Sequence, residues 1–377
     1  MSAEMTLCGL HFFETEAEME TFDVAIVGGG PAGSSCAAFC ALAGLRTLVL
    51  EREKFPREKV CGDCLNPSCW PVLDRLNLAQ QVRILPHAKL DFVEFIAVGG
   101  RKVVIDLPPG DECEFAVKRS VFDDRLLRRA SELGADIYEE TTVTALTNSH
   151  GWKIETARGE RFVTRTLVGA DGRNSTVARL CNLLPRPERE RIALQSHLPL
   201  PANFGNSAVL QFLPNGYSGL APVNGQELNV CLVAKPREME ALKKWATKRF
   251  GVSPNHAWRT ITPLTRDALS PAHKNLLFIG DAARVVEPFT GEGIYYALRS
   301  GELAAQAIIK IIRGEDRQST LREFARTCAE MYRGRLWINR LARASVLSPR
   351  LGSFFVHAAR IDPSILRLLT AKIVRPN

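Results

Sequence analysis

Two distant stretches constrain this chain more than anything else in it: Phe22-Asp-Val-Ala-Ile-Val-Gly-Gly-Gly-Pro-Ala-Gly33 and Asn275-Leu-Leu-Phe-Ile-Gly-Asp-Ala-Ala283. Each is an apolar run that closes on a turn suited to a nucleotide. The first reads as strand, tight turn and helix, with Gly28, Gly30 and Gly33 at G-x-G-x-x-G spacing and Pro31 favourable at the first helical position. A side chain at Gly30 would hold the backbone away from a pyrophosphate. Gly33 lets the helix approach the strand, and the first helical amides stay free for phosphate oxygens.

The spacing predicts a helix from Pro31 to Ala43 that stops at Gly44, followed by a strand from Arg46 to Leu50. Glu51 follows Gly30 by 21 residues, which is where a ribose-binding carboxylate belongs. Its charge would also repel a 2′-phosphate and so disfavour NADP in this pocket. The plainer reading of Glu51 is a surface carboxylate at a strand end. NAD and FAD use the same loop, so the choice between them rests on later segments.

Those segments are Arg165-Thr-Leu-Val-Gly-Ala-Asp171-Gly-Arg-Asn-Ser175 and the Gly280-Asp281 stretch. They resemble the second and third nucleotide motifs of the FAD-dependent aromatic hydroxylase superfamily. Within it, the chain is most similar to the geranylgeranyl reductase family, whose further motifs recur as Phe55-Pro-Arg-Glu-Lys-Val-Cys61-Gly-Asp63, Lys118-Arg119-Ser-Val-Phe-Asp123 and Glu287-Pro-Phe-Thr-Gly-Glu-Gly-Ile294. The superfamily spans hydroxylases, halogenases, epoxidases and saturating reductases, so the resemblance implies the fold more firmly than the reaction.

The resemblance implies FAD as cofactor, held by Gly28, Gly30, Ala32, Gly33, Glu51, Arg52, Arg119, Asp171, Gly280, Asp281, Gly291, Gly293 and Ile294. Asp281 would accept a hydrogen bond from the flavin ribitol, and Arg119 would lie near the flavin and its phosphates. Thr290 to Ile294 would open a helix whose amides face the pyrimidine edge of the isoalloxazine, where reduction places negative charge that the helix dipole favours. Asp171-Gly172 resembles the motif that serves both FAD binding and nicotinamide access; taken alone, it is a common turn pair. Only one G-x-G-x-x-G is present, so NAD(P)H is expected as a transient reductant. Spacing singles out no catalytic acid, and flavin chemistry often needs none. The candidate pocket residues are Cys61, whose alternative is a buried, inert cysteine, and Tyr217, which reads first as a strand tyrosine packed for structure. Lys59 and Asp63 read as loop residues, and Tyr295 and Tyr296 as packing residues.

The expected fold is α/β: a Rossmann-like FAD-binding domain of the glutathione reductase type, with an inserted antiparallel-sheet substrate domain and a helical C-terminus. Leu90 to Leu107 and Ala208 to Ala234 partly alternate apolar and polar residues, with hairpin turns at Asn215-Gly216 and Asn224-Gly225. The chain would leave the nucleotide domain twice. That gives a discontinuous FAD-binding domain over 22–85, 115–185 and 265–315, and a substrate domain over 86–114 and 186–264. An N-terminal extension, 1–21, and a basic helical region, 316–377, complete the chain. Met19 leads directly towards the first strand, so residues 1–18 are expected to be dispensable.

Ten cysteines fit reduced thiols, and Cys61, Cys64 and Cys69 lack a fourth ligand at regular spacing, so no metal site is expected. No apolar run reaches the length of a spanning helix. The first 20 residues carry five glutamates and no lysine or arginine, unlike a secretory or mitochondrial signal, so a cytoplasmic placement is expected. Charge is uneven: against +8 overall, residues 310–377 hold 14 lysines and arginines and 5 acids. These alternate with apolar residues, including Trp337, in a pattern that could lie peripherally on an anionic membrane, cover a lipid-entry tunnel or form an ordinary helical cap. No nucleic-acid-binding motif accompanies the charge, so the expected partner is a small hydrophobic substrate and not nucleic acid.

Three functions remain open on sequence. In the first, an FAD-dependent oxidoreductase uses NAD(P)H-reduced flavin to reduce a carbon–carbon double bond of an isoprenoid-type or other hydrophobic substrate. In the second, an FAD-dependent monooxygenase hydroxylates or epoxidises an aromatic or lipid substrate. In the third, the chain is a flavin-binding electron carrier or redox sensor. The aromatic-rich segment of many isoprenoid reductases is represented only by Gly216-Tyr217-Ser-Gly-Leu-Ala-Pro222, and the paired tryptophans of tryptophan halogenases are missing there.

Overall fold

The computed structural model describes residues 20–110, 113–188, 191–286 and 291–333, with the single positions 344, 348, 356 and 357. The expected dispensable lead, most of the basic C-terminal region and residues 287–290 of the last motif lie outside the described residues.

The strand Glu20–Val27 buries Phe22, Val24, Ala25, Ile26 and Val27, the near-continuous apolar run of a strand covered on both faces. It pairs in parallel with Thr47–Leu50 on one side and Arg161–Gly169 on the other. Asp136–Tyr138 and Leu276–Phe278 extend the sheet outward, also in parallel. On one face, Val24, Ile26, Val49, Val168 and Leu277 pack against Cys36, Leu126 and Leu298 of the helices Pro31–Leu42, Arg119–Glu132 and Gly293–Ile312. On the other, Phe22, Ala25, Leu48 and Leu167 pack under Val143, Trp152 and Ile154 from the hairpin of Val143–Asn148 with Trp152–Thr156. This is the Rossmann-like arrangement with a β-meander on its second face.

A second sheet of seven strands runs in the order Arg259–Ile261, Ile192–Pro199, Glu227–Ala234, Gly216–Pro222, Ser207–Leu213, Phe92–Ile96, Lys102–Asp106. Tight connections at 214–215 and 223–226 fall where the Asn-Gly pairs predict them. The sheet is antiparallel except where Phe92–Ile96 meets Ser207–Leu213 in parallel, since these two strands come from separate excursions of the chain. A third, small sheet of Cys64–Leu65, Glu114–Ala116 and Ala88–Leu90 leads into the helix Arg119–Glu132. Among the described residues, no helix is long and apolar enough to cross a membrane.

The nucleotide turn is set by steric exclusion. Gly28 has φ +108, and a Cβ there would stand 2.6 Å from the Ala170 carbonyl oxygen. A Cβ on Gly33 would fall 1.8 Å from the Gly28 carbonyl oxygen, a backbone atom that cannot step aside. Gly33→Ala should therefore force helix and strand apart at a cost of about 3 kcal/mol or more, read as a lowered denaturant midpoint. Gly99→Ala, where an added methyl meets open space, serves as control. Equal midpoints for the two variants would refute the steric account.

Candidate functional site

At the end of Thr47–Leu50, Glu51 is buried, so it is no surface carboxylate. Its Oε2 accepts the Gly29 amide at 2.6 Å and its Oε1 the Glu53 amide at 2.9 Å. The Ser34 hydroxyl donates to the Gly29 carbonyl at 2.8 Å, so the turn is tied from both sides. Arg52 is exposed and lies 3.4 Å from Glu53.

The middle of the site carries interlocked charges. Asp171 Oδ2 accepts the amides of Thr176 and Val177 at 2.6 and 3.1 Å. Arg173 donates from Nη2 to Asp281 at 2.9 Å and from Nη1 to the Pro263 carbonyl at 3.2 Å. Arg119 grips Asp123 with two bonds of 2.6 and 2.7 Å, and Arg57 Nη1 lies 3.0 Å from the same, fully buried carboxylate. Two guanidiniums thus share one acid. Lys59 is half-buried in this wall; desolvation there, with Arg173 adding to it and Asp281 opposing, brings its pKa down to about 8.

The loop that carries Cys61 is tied to the seven-stranded sheet. Asn229 donates to the Cys61 carbonyl at 2.8 Å, and His197 Nε2 donates to Asp63 Oδ2 at 2.7 Å. Tyr217 is buried between Phe212 and Val233. Tyr296 donates to Glu292 at 2.9 Å and packs on Tyr332, in keeping with a packing role.

One cavity of about 530 Å³ joins these parts. It starts at Gly28, Gly30 and Glu51, passes Asp171, Gly280 and Asp281, and ends among Val93, Phe95, Leu210, Leu220, Val233 and Leu264. Every expected cofactor residue except Gly33 lines it, as do Cys61 and Tyr217; Gly33 acts through the turn. Sequence reasoning missed Arg57, Lys59, Arg173 and Glu114, which share the wall. The first three sat inside quoted motifs as bystanders, whereas Glu114 belongs to no motif. No cluster able to hold a metal occurs among the described residues.

These residues fit FAD. A Cβ on Gly30 would meet only the Arg57 guanidinium, at 3.4 Å, so this backbone is open to the cavity for a phosphate. Asp171 Oδ1 and Arg173 Nε are buried without a hydrogen-bond partner among the described residues, an acceptor and a donor on two residues that both line the cavity. The cluster of Arg57, Lys59, Arg119 and Arg173 on the wall suits a dianionic pyrophosphate.

Residues 21–217 match the family model described as an FAD binding domain. The chain belongs to that family. This flavoprotein is 30% identical to the menaquinone reductase of Mycobacterium tuberculosis over 328 residues, 77% of each chain. It is 28% identical to the digeranylgeranylglycerophospholipid reductase of Methanosphaerula palustris, over 78% of each chain. The solved flavoprotein/dehydrogenase from Cytophaga hutchinsonii superposes with a TM-score of 0.77 at 20% identity, over 94% of this chain and 93% of that one, which shows a shared fold. The flavoprotein is an FAD-dependent oxidoreductase, and its resemblance to geranylgeranyl reductases holds.

Gly30→Ala and Asp281→Ala should each lower the flavin bound per protein after desalting, while the far-ultraviolet dichroism stays near that of the parent. Full flavin occupancy in both variants would contradict the site. A second expectation concerns pH. Lys59 is charged below about pH 8 and neutral above it, and an anionic cofactor binds the charged form better. FAD affinity should hold steady up to pH 7 and fall about tenfold by pH 9.5. Lys59→Met should flatten that profile, and an unchanged slope in the variant would remove Lys59 from cofactor binding.

Proposed function

We propose that this flavoprotein uses NAD(P)H to saturate a carbon–carbon double bond in a hydrophobic, isoprenoid-type substrate. The observation that carries this reading is the continuity of the cavity, which passes from the charged nucleotide end to an aliphatic wall supplied by the seven-stranded sheet. Such a wall suits a hydrocarbon chain, because polar ligand groups would be desolvated there without partners. Relatives named as menaquinone reductase and digeranylgeranylglycerophospholipid reductase support the reducing direction.

Bound FAD would supply hydride chemistry, from a nicotinamide donor to an unsaturated acceptor. Glu51 and the Gly28 to Gly33 turn would hold the adenosine and pyrophosphate end. Asp281, Asp171 and Arg173 would meet the central hydroxyl-rich part, and Arg119 and Lys59 would supply positive charge. The helix that begins at Gly293 would turn its dipole towards the ring system. Val93, Leu210, Leu220 and Val233 would exclude water from the reacting carbons.

The test follows the visible absorbance of the flavin under argon. NADPH or NADH should bleach it, and a degassed prenylated lipid should restore it, with a product richer by two hydrogens per double bond. Restoration only on admitting air, with an oxygenated product, would overturn the proposal in favour of a monooxygenase.

A further inference from the structure

Carboxylates buried in this protein almost all have partners. Glu51 accepts two backbone amides, Asp63 is bound by His197 and by the Arg119 amide, Asp123 holds two arginines, Glu302 is gripped by Arg75 and Arg299, and Glu292 accepts from Tyr296. Glu114 is the exception: only 9% exposed, it has no hydrogen-bond or ion-pair partner among the described residues. It lines the cavity instead.

Its position follows from strand geometry. Glu114 opens the strand Glu114–Ala116, between Cys64–Leu65 and Ala88–Leu90. It points to the same side as Ala116, which packs with Leu107 and Ala221 at the apolar end of the cavity. Phe115, on the opposite side, joins the core with Trp70. A Cβ on Gly291 would stand 3.9 Å from Glu114 Oε1, so the carboxyl lies close to Gly291 of the last motif. The titratable groups facing it are the thiols of Cys64 and Cys69. Among the described residues no cation offsets its burial, which raises its pKa to about 7. An acid placed there for structure alone would be expected to have found a donor.

Resting on the reductase reading above, we infer that Glu114 is the acid that protonates the substrate carbon next to the one receiving hydride. The balance is complete. Bound flavin reduced by NAD(P)H would supply the hydride to one alkene carbon as the π bond breaks, and the Glu114 carboxyl would give its proton to the neighbouring carbon, which takes the π electron pair. Two C–H bonds form; the π bond, the hydride donor's bond to hydrogen and the carboxyl O–H bond break; the alkene is reduced and NAD(P)H is oxidised. Water then reprotonates the carboxylate.

Two measurements on the FAD-loaded protein test this. With glutamate labelled by ¹³C at the side-chain carboxyl, one resonance should titrate near pH 7 and be missing in Glu114→Gln. If the Glu114 resonance titrates in the ordinary carboxylate range, the residue is ionised at neutral pH and the inference fails, whatever the substrate. In anaerobic rapid mixing, Glu114→Gln should be reduced by NADPH at the parental rate. Its reoxidation by a prenylated lipid should then slow about 100-fold, with partial recovery in Glu114→Asp. The parental lipid-driven rate should fall above pH 7, and that fall should vanish in Glu114→Gln. Lipid-driven reoxidation that is normal in both parent and Glu114→Gln removes this role alone. No such reoxidation in the parent removes the reductase reading and the role with it.

Discussion

Everything in the nucleotide half depends on how closely the helix Pro31–Leu42 lies against its neighbours. On one side, Gly33 rests on the Gly28 carbonyl. On the other, a Cβ at Gly301 would stand 2.4 Å from the Ala32 carbonyl oxygen, so the helix Gly293–Ile312 crosses at nearly backbone contact. Ser35 donates to the Leu298 carbonyl at 2.9 Å, and the Gly280 amide donates to Ser300 at 2.9 Å. Motifs far apart in the chain are thereby fixed as one rigid body. Closing so long a loop adds little entropy beyond that of a shorter one, because the cost grows only with the logarithm of length.

That rigid body still has to be coupled to the sheet that forms the other wall, and the 61–63 loop makes the connection. Asp63 is fully buried with φ +61, a left-handed conformation that a non-glycine residue adopts at some cost. Three bonds hold it there: the Val117 amide to its carbonyl at 2.9 Å, the Arg119 amide to Oδ1 at 3.4 Å and His197 to Oδ2 at 2.7 Å. The first two come from the segment that opens the Arg119 helix, the third from the seven-stranded sheet. One aspartate thus fixes the relative position of the cation wall and the apolar wall.

The fold was largely legible in sequence because its determinants are local. Buried strands show as apolar runs, the tight turn shows as glycine spacing, and the Asn-Gly pairs mark the hairpins. The carboxylate at Glu51 was legible for the same reason, since its distance from Gly30 is fixed by one helix and one strand. Arg57, Lys59 and Arg173 were not, because their significance lies in converging on one wall from separate parts of the chain. Glu114 was still less accessible: its distinction is a missing partner, and no spacing encodes an absence.

The same charge arithmetic explains why a cavity rich in cations can also keep one acid uncharged. Each arginine near the middle of the site has an acid within reach, since Arg119 and Arg57 share Asp123 and Arg173 has Asp281, and Lys118 lies 3.1 Å from Glu227. Pairing keeps the fields of these cations short-ranged, so the positive charge suited to a pyrophosphate does not extend to the apolar end. An unpaired arginine beside Glu114 would hold its carboxyl in the charged form. Separation of the two ends is therefore a condition of the chemistry: anion binding needs cations, and proton donation to a hydrocarbon needs a carboxyl beyond their influence.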